Sequence, residues 1–146
     1  MGWLGGLEVV VIRRGACIHR TTGHFFWREL VASGHLSAQA ANDFPLKHVV
    51  TRHLGKTTEG KELKDDVDVA GPWLAEEGDL ILLCSTKVYQ VLPEPEVLSL
   101  SDSADLPSTV SRLLNAALVD VNHFEACVVA IRVGEAVKTS ETHRTS

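Results

Sequence analysis

The chain of 146 residues lacks the features that mark several specialised protein classes. No apolar run approaches the length of about 20 residues that a bilayer-spanning helix needs. The N-terminus has neither the basic segment nor the long apolar segment of a secretory signal. Acidic residues outnumber basic ones by 19 to 14, which argues against nucleic acid or an anionic membrane as the main partner. We therefore expect a cytoplasmic protein that binds neither nucleic acid nor membranes.

Cysteine is scarce as well. The three cysteines, Cys17, Cys84 and Cys127, are odd in number and have no metal-type spacing, so neither a disulfide framework nor a zinc site is expected. Two of them fall within apolar segments, and we expect buried free thiols in a reducing compartment. The seven histidines are scattered along the chain, and a surface position explains them better than a metal site.

What remains is typical of one globular domain, with 45% hydrophobic and 23% charged residues. The clearest helix spans residues 107–118, where apolar residues recur at the i, i+3, i+4, i+7 spacing. The other predicted elements are strands at 7–13, 80–84 and 127–133, helices at 25–33, 37–42 and 96–100, and a regular piece of undecided type at 49–54. Residues 56–66 read as a charged loop, and residues 135–146 as a disordered polar tail.

One segment carries more information than the rest. Residues 78–87 read GDLILLCSTK, which combines a Gly-Asp turn with an apolar run of the length expected for a strand buried on both faces. This segment resembles the PPM-type metal-dependent Ser/Thr protein phosphatases (the protein phosphatase 2C family), in which Gly-Asp and four or five apolar residues precede Cys-Ser-Asp-Gly-Leu. Further motifs of that family have counterparts in the same order: GGLE at 5–8, TTGHF at 21–25, LVASGHLSAQAA at 30–41, FPLKHVVTRHLG at 44–55 and FEACVVAIRV at 124–133.

The resemblance covers residues 5–134 and implies an α+β fold. It predicts a partial PPM-phosphatase-like β-sandwich flanked by α-helices, corresponding to the C-terminal half of the family domain. In the family, the first metal-binding carboxylates precede the Gly-Asp-Ser-Arg motif, and here only a few residues do. We therefore expect this chain to supply about half of such a domain.

The resemblance also predicts that the metal site is degenerate. The family holds Mg²⁺ or Mn²⁺ with carboxylates, because hard cations require charged oxygen ligands. At the matching positions this chain has Thr86, Phe124 and Gly23, so we expect no catalytic residue, no metal and no cofactor. Glu8 and Glu125 are the nearest candidates for replacement ligands.

Arg52 belongs to the Thr-Arg pair that matches the family motif, and this makes it a possible phosphate-binding residue. A solvated arginine next to a structural turn is the simpler interpretation of the same residue.

These expectations leave three hypotheses about function. The first is a catalytically inactive phosphatase-like signalling protein, a pseudophosphatase, that binds a phosphoprotein, a protein kinase or an active phosphatase. The second is a metal-dependent phosphatase of Ser/Thr phosphoesters, or a subunit of one, with ligands from a partner or from replacement residues. The third is a decayed gene product without a selected function. Because half a sandwich leaves a sheet uncovered, we also expect self-association or a protein partner at that surface.

Overall fold

The computed structural model describes residues 1–53, 67–118 and 126–134. Along the chain, the described elements are β1 (Gly2–Trp3), β2 (Glu8–Arg13), β3 (Ala16–Arg20), α1 (Phe26–Ala32), α2 (Ala38–Ala41), β4 (Asp68–Val69), β5 (Leu80–Cys84), α3 (Thr86–Val91), α4 (Glu94–Ser101), α5 (Leu106–Ala117) and β6 (Val128–Arg132). This mixture of helices and antiparallel strands confirms the predicted α+β class. None of the helices in the described part of the chain has the length and apolar character that crossing a lipid bilayer requires.

The main sheet has four antiparallel strands in the order β3-β2-β5-β6. Strands β2 and β3 form a hairpin whose turn residues Arg14 and Gly15 have φ values of 51° and 76°, the positive values that a two-residue primed turn requires. The β2–β3 register shifts between Val11 and Ile12, so that β3 contains one extra residue. Strand β5 lies in the middle and pairs with β2 and β6, as its apolar sequence predicts.

One face of this sheet is covered by helices α3, α4 and α5. Alternate side chains of each strand point to the same face, and on this face they meet the buried side of the helices. The resulting core contains Val10, Ile12, Leu80, Leu82, Cys84, Val88, Val97, Leu113 and Ala117. We call this side of the sheet the covered face.

The opposite side, which we call the open face, is only partly covered. Near β2 it is buried, since Val9 and Val11 are 3% and 9% exposed. Next to them, on β3, the ring centroid of His19 lies 3.9 Å from that of Trp73. Near β6 it is exposed, with Val129 and Ile131 retaining 48% and 47% of their accessible surface. The prediction that β5 is buried on both faces is therefore wrong for the open face, where Ile81 is only half-buried.

Helix boundaries follow from local chemistry. Gly34, with φ of 78°, follows the end of α1 in the position that favours glycine. The Ser37 hydroxyl accepts a hydrogen bond from the Ala40 N–H at the start of α2, and the Asp105 carboxylate does the same for the Ser108 N–H at the start of α5. These helices and α4 confirm the predicted segments.

Other expectations need correction. Of the piece predicted at 49–54, the described residues contribute only an isolated bridge between Val50 and Phe25. Cys127 is exposed rather than buried, because it precedes the first residue of the edge strand β6. Strands β1, β3 and β4 and helix α3 were not predicted. The expected charged loop at 56–66 and the expected tail at 135–146 lie outside the described residues.

Candidate functional site

The structure brings the described positions of the predicted metal site together at one end of the sheet. We call the cluster of Gly5, Gly6, Gly23, Phe25 and Thr86 the glycine corner. The backbone holds it tightly, since the His24 N–H donates to the Gly5 carbonyl at 2.8 Å. The Thr86 hydroxyl donates to the Gly6 carbonyl, also at 2.8 Å. The segment before β2, the segment after β3 and the residues after β5 therefore converge here.

The ring of Phe25 fills this corner. Phe25 is only 3% exposed, and it lies where side chains at positions 6 and 23 would otherwise stand. A Cβ atom added at Gly23 would lie 2.6 Å from Cε2 of Phe25, and one added at Gly6 would lie 3.2 Å from Cζ. The Gly6 Cβ would also collide with the Thr86 hydroxyl oxygen. A carboxylate therefore does not fit at either glycine unless Phe25 or Thr86 moves.

This arrangement does not fit a divalent cation. Mg²⁺ and Mn²⁺ require several charged oxygen ligands around an open position, whereas the corner offers one neutral hydroxyl, already engaged, and an apolar ring. Among the described residues, no group of three or more histidine, cysteine, aspartate or glutamate side chains is placed to hold a metal. Phe124, the remaining predicted ligand position, lies outside the described residues, as does Glu125.

Glu8, the other candidate replacement ligand, already binds two arginines. It is 1% exposed and points to the covered face. Its Oε2 atom accepts from Arg20 at 2.9 and 3.0 Å, and its Oε1 atom accepts from Arg28 at 3.0 Å. Because both oxygens already bind partly buried guanidinium groups, a metal would have to displace an arginine to use this carboxylate.

Arg52 lies beside the glycine corner in a small polar cluster with His24 and Asp68. Its guanidinium binds Asp68 Oδ1 at 2.9 Å, and the Gly5 N–H donates to Nδ1 of His24 at 2.9 Å. The proton of a neutral His24 therefore lies on Nε2, 3.1 Å from Asp68 Oδ2. The hydrogen bond from His24, assisted by Arg52, lowers the pKa of Asp68. Arg52 is 39% exposed, and its role in phosphate binding stays a prediction.

Solved structures show what this arrangement is similar to. Over 90% of its length the chain matches the PPM Ser-Thr phosphatase MsPP from Mycobacterium smegmatis, with 27% identity and a TM-score of 0.68. It matches a serine/threonine phosphatase from S. agalactiae over 92% of its length, with 24% identity and a TM-score of 0.73. The chain has the fold of the PPM-type Ser/Thr phosphatases. The predicted resemblance is thereby confirmed.

The match is partial in one respect. The chain spans only 54% of the Mycobacterium smegmatis protein and 53% of the S. agalactiae protein. It spans 53% of the Mycobacterium tuberculosis phosphatase PstP/Ppp, at 19% identity and a TM-score of 0.72. No protein-family model and no curated protein sequence matches the chain.

Sequence reasoning missed two features of the site. The segment TTGHF at 21–25 is the counterpart of the family motif Thr-x-Asp-His-Ser, so Phe25 occupies the serine position. A large apolar residue two positions after Gly23 was the available signal that the site is filled. Glu8 replaces the arginine of Gly-Asp-Ser-Arg, and that reversal of charge indicated a new ionic partner. The identity of that partner depends on the register of β3 and the position of α1, which the motif does not specify.

Proposed function

We propose that this chain is a catalytically inactive phosphatase-like domain that acts by binding protein. The observation that carries the first half of the proposal is the glycine corner. Gly6 stands at the aspartate position of the family's Gly-Asp-Ser-Arg motif, and Gly23 and Thr86 occupy carboxylate positions of two further motifs. The ring of Phe25 takes up the space that the two glycines leave.

The substitutions compensate one another, which is what a stable inactive site requires. Replacing an aspartate by glycine alone leaves a cavity or a flexible backbone, and both destabilise a fold. Here the Phe25 ring buries apolar area in that space, which is worth roughly 2–3 kcal/mol. The same compensation argues against the hypothesis of a decayed gene product, because random loss of ligands does not provide a fitted replacement.

The open face supports the second half of the proposal. The exposed part of this face, formed by β5 and β6, presents Ile81, Leu83, Val129 and Ile131, and the described residues of these two strands place no charged side chain on it. Exposed apolar patches of this kind are typical of interaction surfaces. The binding partner that we propose is a second copy of this chain, because an uncharged patch permits two chains of net charge −5 to pack face to face without opposing like charges.

Hydrolysis of p-nitrophenyl phosphate and of a phosphothreonine peptide, with and without Mn²⁺, tests the first half. We expect turnover at the level of heat-denatured protein and no heat of Mn²⁺ binding by calorimetry. An active PPM phosphatase is the positive control. Metal-dependent turnover by the unmodified chain would overturn the proposal in favour of the alternative, a metal-dependent phosphatase with replacement ligands.

A pair of variants tests whether Phe25 fills the site. Gly23→Asp alone introduces a side chain against the Phe25 ring, and we expect it to lower the free energy of unfolding by about 2 kcal/mol. The double variant Gly23→Asp/Phe25→Ser removes the ring that obstructs the new carboxylate. Its loss in free energy of unfolding should therefore be smaller than the sum of the losses from Gly23→Asp and Phe25→Ser measured singly. Strictly additive losses would contradict the assigned packing. A variant that carries Thr86→Asp and Phe124→Asp in addition to these two changes tests whether restoring the carboxylates allows the chain to bind Mn²⁺.

Sedimentation over a range of protein concentrations tests the second half. We expect the unmodified chain to form a dimer, and Val129→Glu/Ile131→Glu to shift it to monomer. The matched control is Val69→Glu, because Val69 is 75% exposed but lies on β4 in the separate small sheet. A monomer at every concentration, or equal effects of the two variants, would overturn self-association through the open face.

A further inference from the structure

A short apolar segment lies beside the exposed part of the open face. Residues 69–75 read VAGPWLA and include no charged side chain. Trp73 and Leu74, two large apolar residues in succession, are 42% and 85% exposed. Exposed apolar residues are informative where they join into one patch, so the position of this segment relative to the sheet decides what it can do. We call residues 72–75 the ridge.

The ridge lies over strands β2 and β3. Trp73 packs on the ring of His19, and the neighbouring positions of β2 on the open face, Val9 and Val11, are buried. Val11 pairs with His19 on one side and with Ile81 on the other, which sets the order across the face as β3, β2 and β5. The ridge therefore covers the β2–β3 half of the open face, and the exposed half on β5 and β6 lies next to it.

Hydrogen bonds place Leu74 at the boundary between the two halves. Its carbonyl accepts from Arg13 at 3.0 Å, and the same guanidinium binds Asp79. Asp79 directly precedes β5 and lies on the same side of it as Ile81, because alternate residues of an extended chain share a face. Leu74 therefore lies next to the apolar patch of β5 and β6, at the end of the sheet opposite the glycine corner.

The open face consequently has a raised half and a flat half. Such a step is self-complementary, since the raised half of one copy can rest on the flat half of another. A two-fold axis that runs between two such sheets, parallel to their strands, produces this contact twice in one dimer. A two-fold axis across the strands would instead bring the two ridges into collision.

The ridge also supplies area that the exposed strands lack. Four half-exposed side chains on β5 and β6 offer on the order of 200 Å² of apolar surface, at about 100 Å² for a complete side chain. A stable interface buries roughly 800 Å² of each partner. Trp73 and Leu74 of both copies enlarge the apolar contact, so a dimer that includes the ridges is favoured over one that excludes them.

We infer that, in the dimer, the ridge of each copy packs on β6 of the other and that Leu74 contacts Ile131 there. This inference rests on the proposed self-association and adds to it the residues that orient the two copies. Rotation about an axis parallel to the strands keeps each residue at its level along the sheet. Leu74 lies at the level of Asp79, whose carbonyl accepts from the Val133 N–H at 2.8 Å, and Ile131 is the next residue of β6 on the open face.

Sedimentation of Leu74→Glu, over the range of concentrations used for the unmodified chain, is the first test. We expect the dissociation constant of the dimer to rise at least about 10-fold, because a carboxylate would replace a buried apolar contact. Val69→Glu belongs to the same apolar segment but lies outside the ridge, and it should leave the dissociation constant unchanged. Circular dichroism should show that Leu74→Glu is folded, since this side chain contacts little of its own chain.

A mixing experiment tests the reciprocal contact. Leu74→Glu and Ile131→Lys should each be monomeric at a concentration at which the unmodified chain is dimeric. In a mixed dimer, one contact pairs the new glutamate with the new lysine, and the other keeps the original leucine and isoleucine. The equimolar mixture should therefore have a dissociation constant at least about 10-fold below that of either variant alone, and native mass spectrometry identifies the mixed dimer by its mass.

The outcomes separate this inference from the proposed function. If Leu74→Glu dimerises as well as Val69→Glu while Val129→Glu/Ile131→Glu is monomeric, self-association through the open face stands and the role of the ridge is overturned. A mixture that dimerises no better than its components overturns the contact between Leu74 and Ile131. An unmodified chain that is monomeric at every concentration overturns the proposed self-association, and the inference with it.

Discussion

The two faces of the main sheet have similar sequences and different surroundings. On the covered face, Leu82 and Leu113 are completely buried between the sheet and helix α5. On the open face, Val129 and Ile131 come from equally apolar sequence and remain about half-exposed. The apolar content of a strand therefore does not reveal whether a second layer covers it.

Each face also contains one nearly inaccessible carboxylate that binds arginine. Glu8 points to the covered face and binds two arginines, Arg20 and Arg28. Asp79 points to the open face and binds Arg13 through both carboxylate oxygens, at 2.8 Å each. The ionic contacts are thus present on both sides, whereas complete apolar packing is present on one. We infer that the open face is already shaped for a second layer, and this inference accords with the match to only about half the length of the solved phosphatase structures.

The two faces should differ most in the free energy of unfolding that is lost when an apolar side chain is shortened to alanine. Leu113→Ala leaves a cavity between sheet and helices and should lower the free energy of unfolding by about 3 kcal/mol. Ile131→Ala removes a side chain that is 47% exposed and should cost at most about 1 kcal/mol. Urea denaturation at low protein concentration, where any dimer is dissociated, measures both. Equal losses would mean that the open face is buried as completely as the covered one.

The second comparison concerns the charge buried on the covered face. Glu8→Ala leaves two guanidinium groups without their carboxylate and should cost about 2–3 kcal/mol, because both arginine side chains retain some exposure. The matched control is Glu94→Ala, which removes an acidic residue whose carboxylate is 3.8 Å from Arg20 and 47% exposed. That variant should lie within about 0.5 kcal/mol of the unmodified protein. Similar losses from both variants would contradict a structural role for the burial of Glu8.

The sequence predicted the framework of the fold better than its contacts. Strand β5 and helices α2 and α5 were predicted from local sequence patterns, and the turn at Arg14 and Gly15 and the caps of these two helices obey local rules of turn and cap chemistry. Strand β3 was missed because its sequence, ACIHR, groups three apolar residues before two polar ones and so lacks the alternation that predicts a strand. Helix α3 was missed because it has only six residues and a single residue separates it from the end of β5. Short elements of this kind are stabilised by their neighbours rather than by their own propensity.

The candidate site shows the same limit. Gly23 and Thr86 were predicted as degenerate positions from the motif, and the structure places both in the glycine corner. The position of the Phe25 ring in this corner, however, could not be predicted. It depends on contacts between segments that are distant in sequence, such as those of Gly6 and Thr86. Thr86 donates to the carbonyl of a residue 80 positions earlier, and no local pattern specifies such a contact.

The smallest expected effect concerns the carboxylate of the open face and is visible as a dependence on pH. The hydrogen bonds from Arg13 lower the pKa of Asp79 to about 2, below the value of about 3.9 expected in the unfolded chain. A carboxylate whose pKa is lower in the folded state stabilises the fold above the unfolded pKa, and this contribution is lost as the pH falls from about 4 towards 2.

Asp79→Asn should therefore lower the free energy of unfolding at pH 7 by about 1–2 kcal/mol, and its deficit should shrink as the pH approaches 2. Unfolding in urea between pH 2 and pH 7, followed by tryptophan fluorescence, measures this. Asp43→Asn, which changes an exposed aspartate, is the control and should follow the unmodified protein at every pH. A deficit that stays constant over this range would show that Asp79 acts through packing rather than through its charge, and the open face would then lack the ionic counterpart of Glu8.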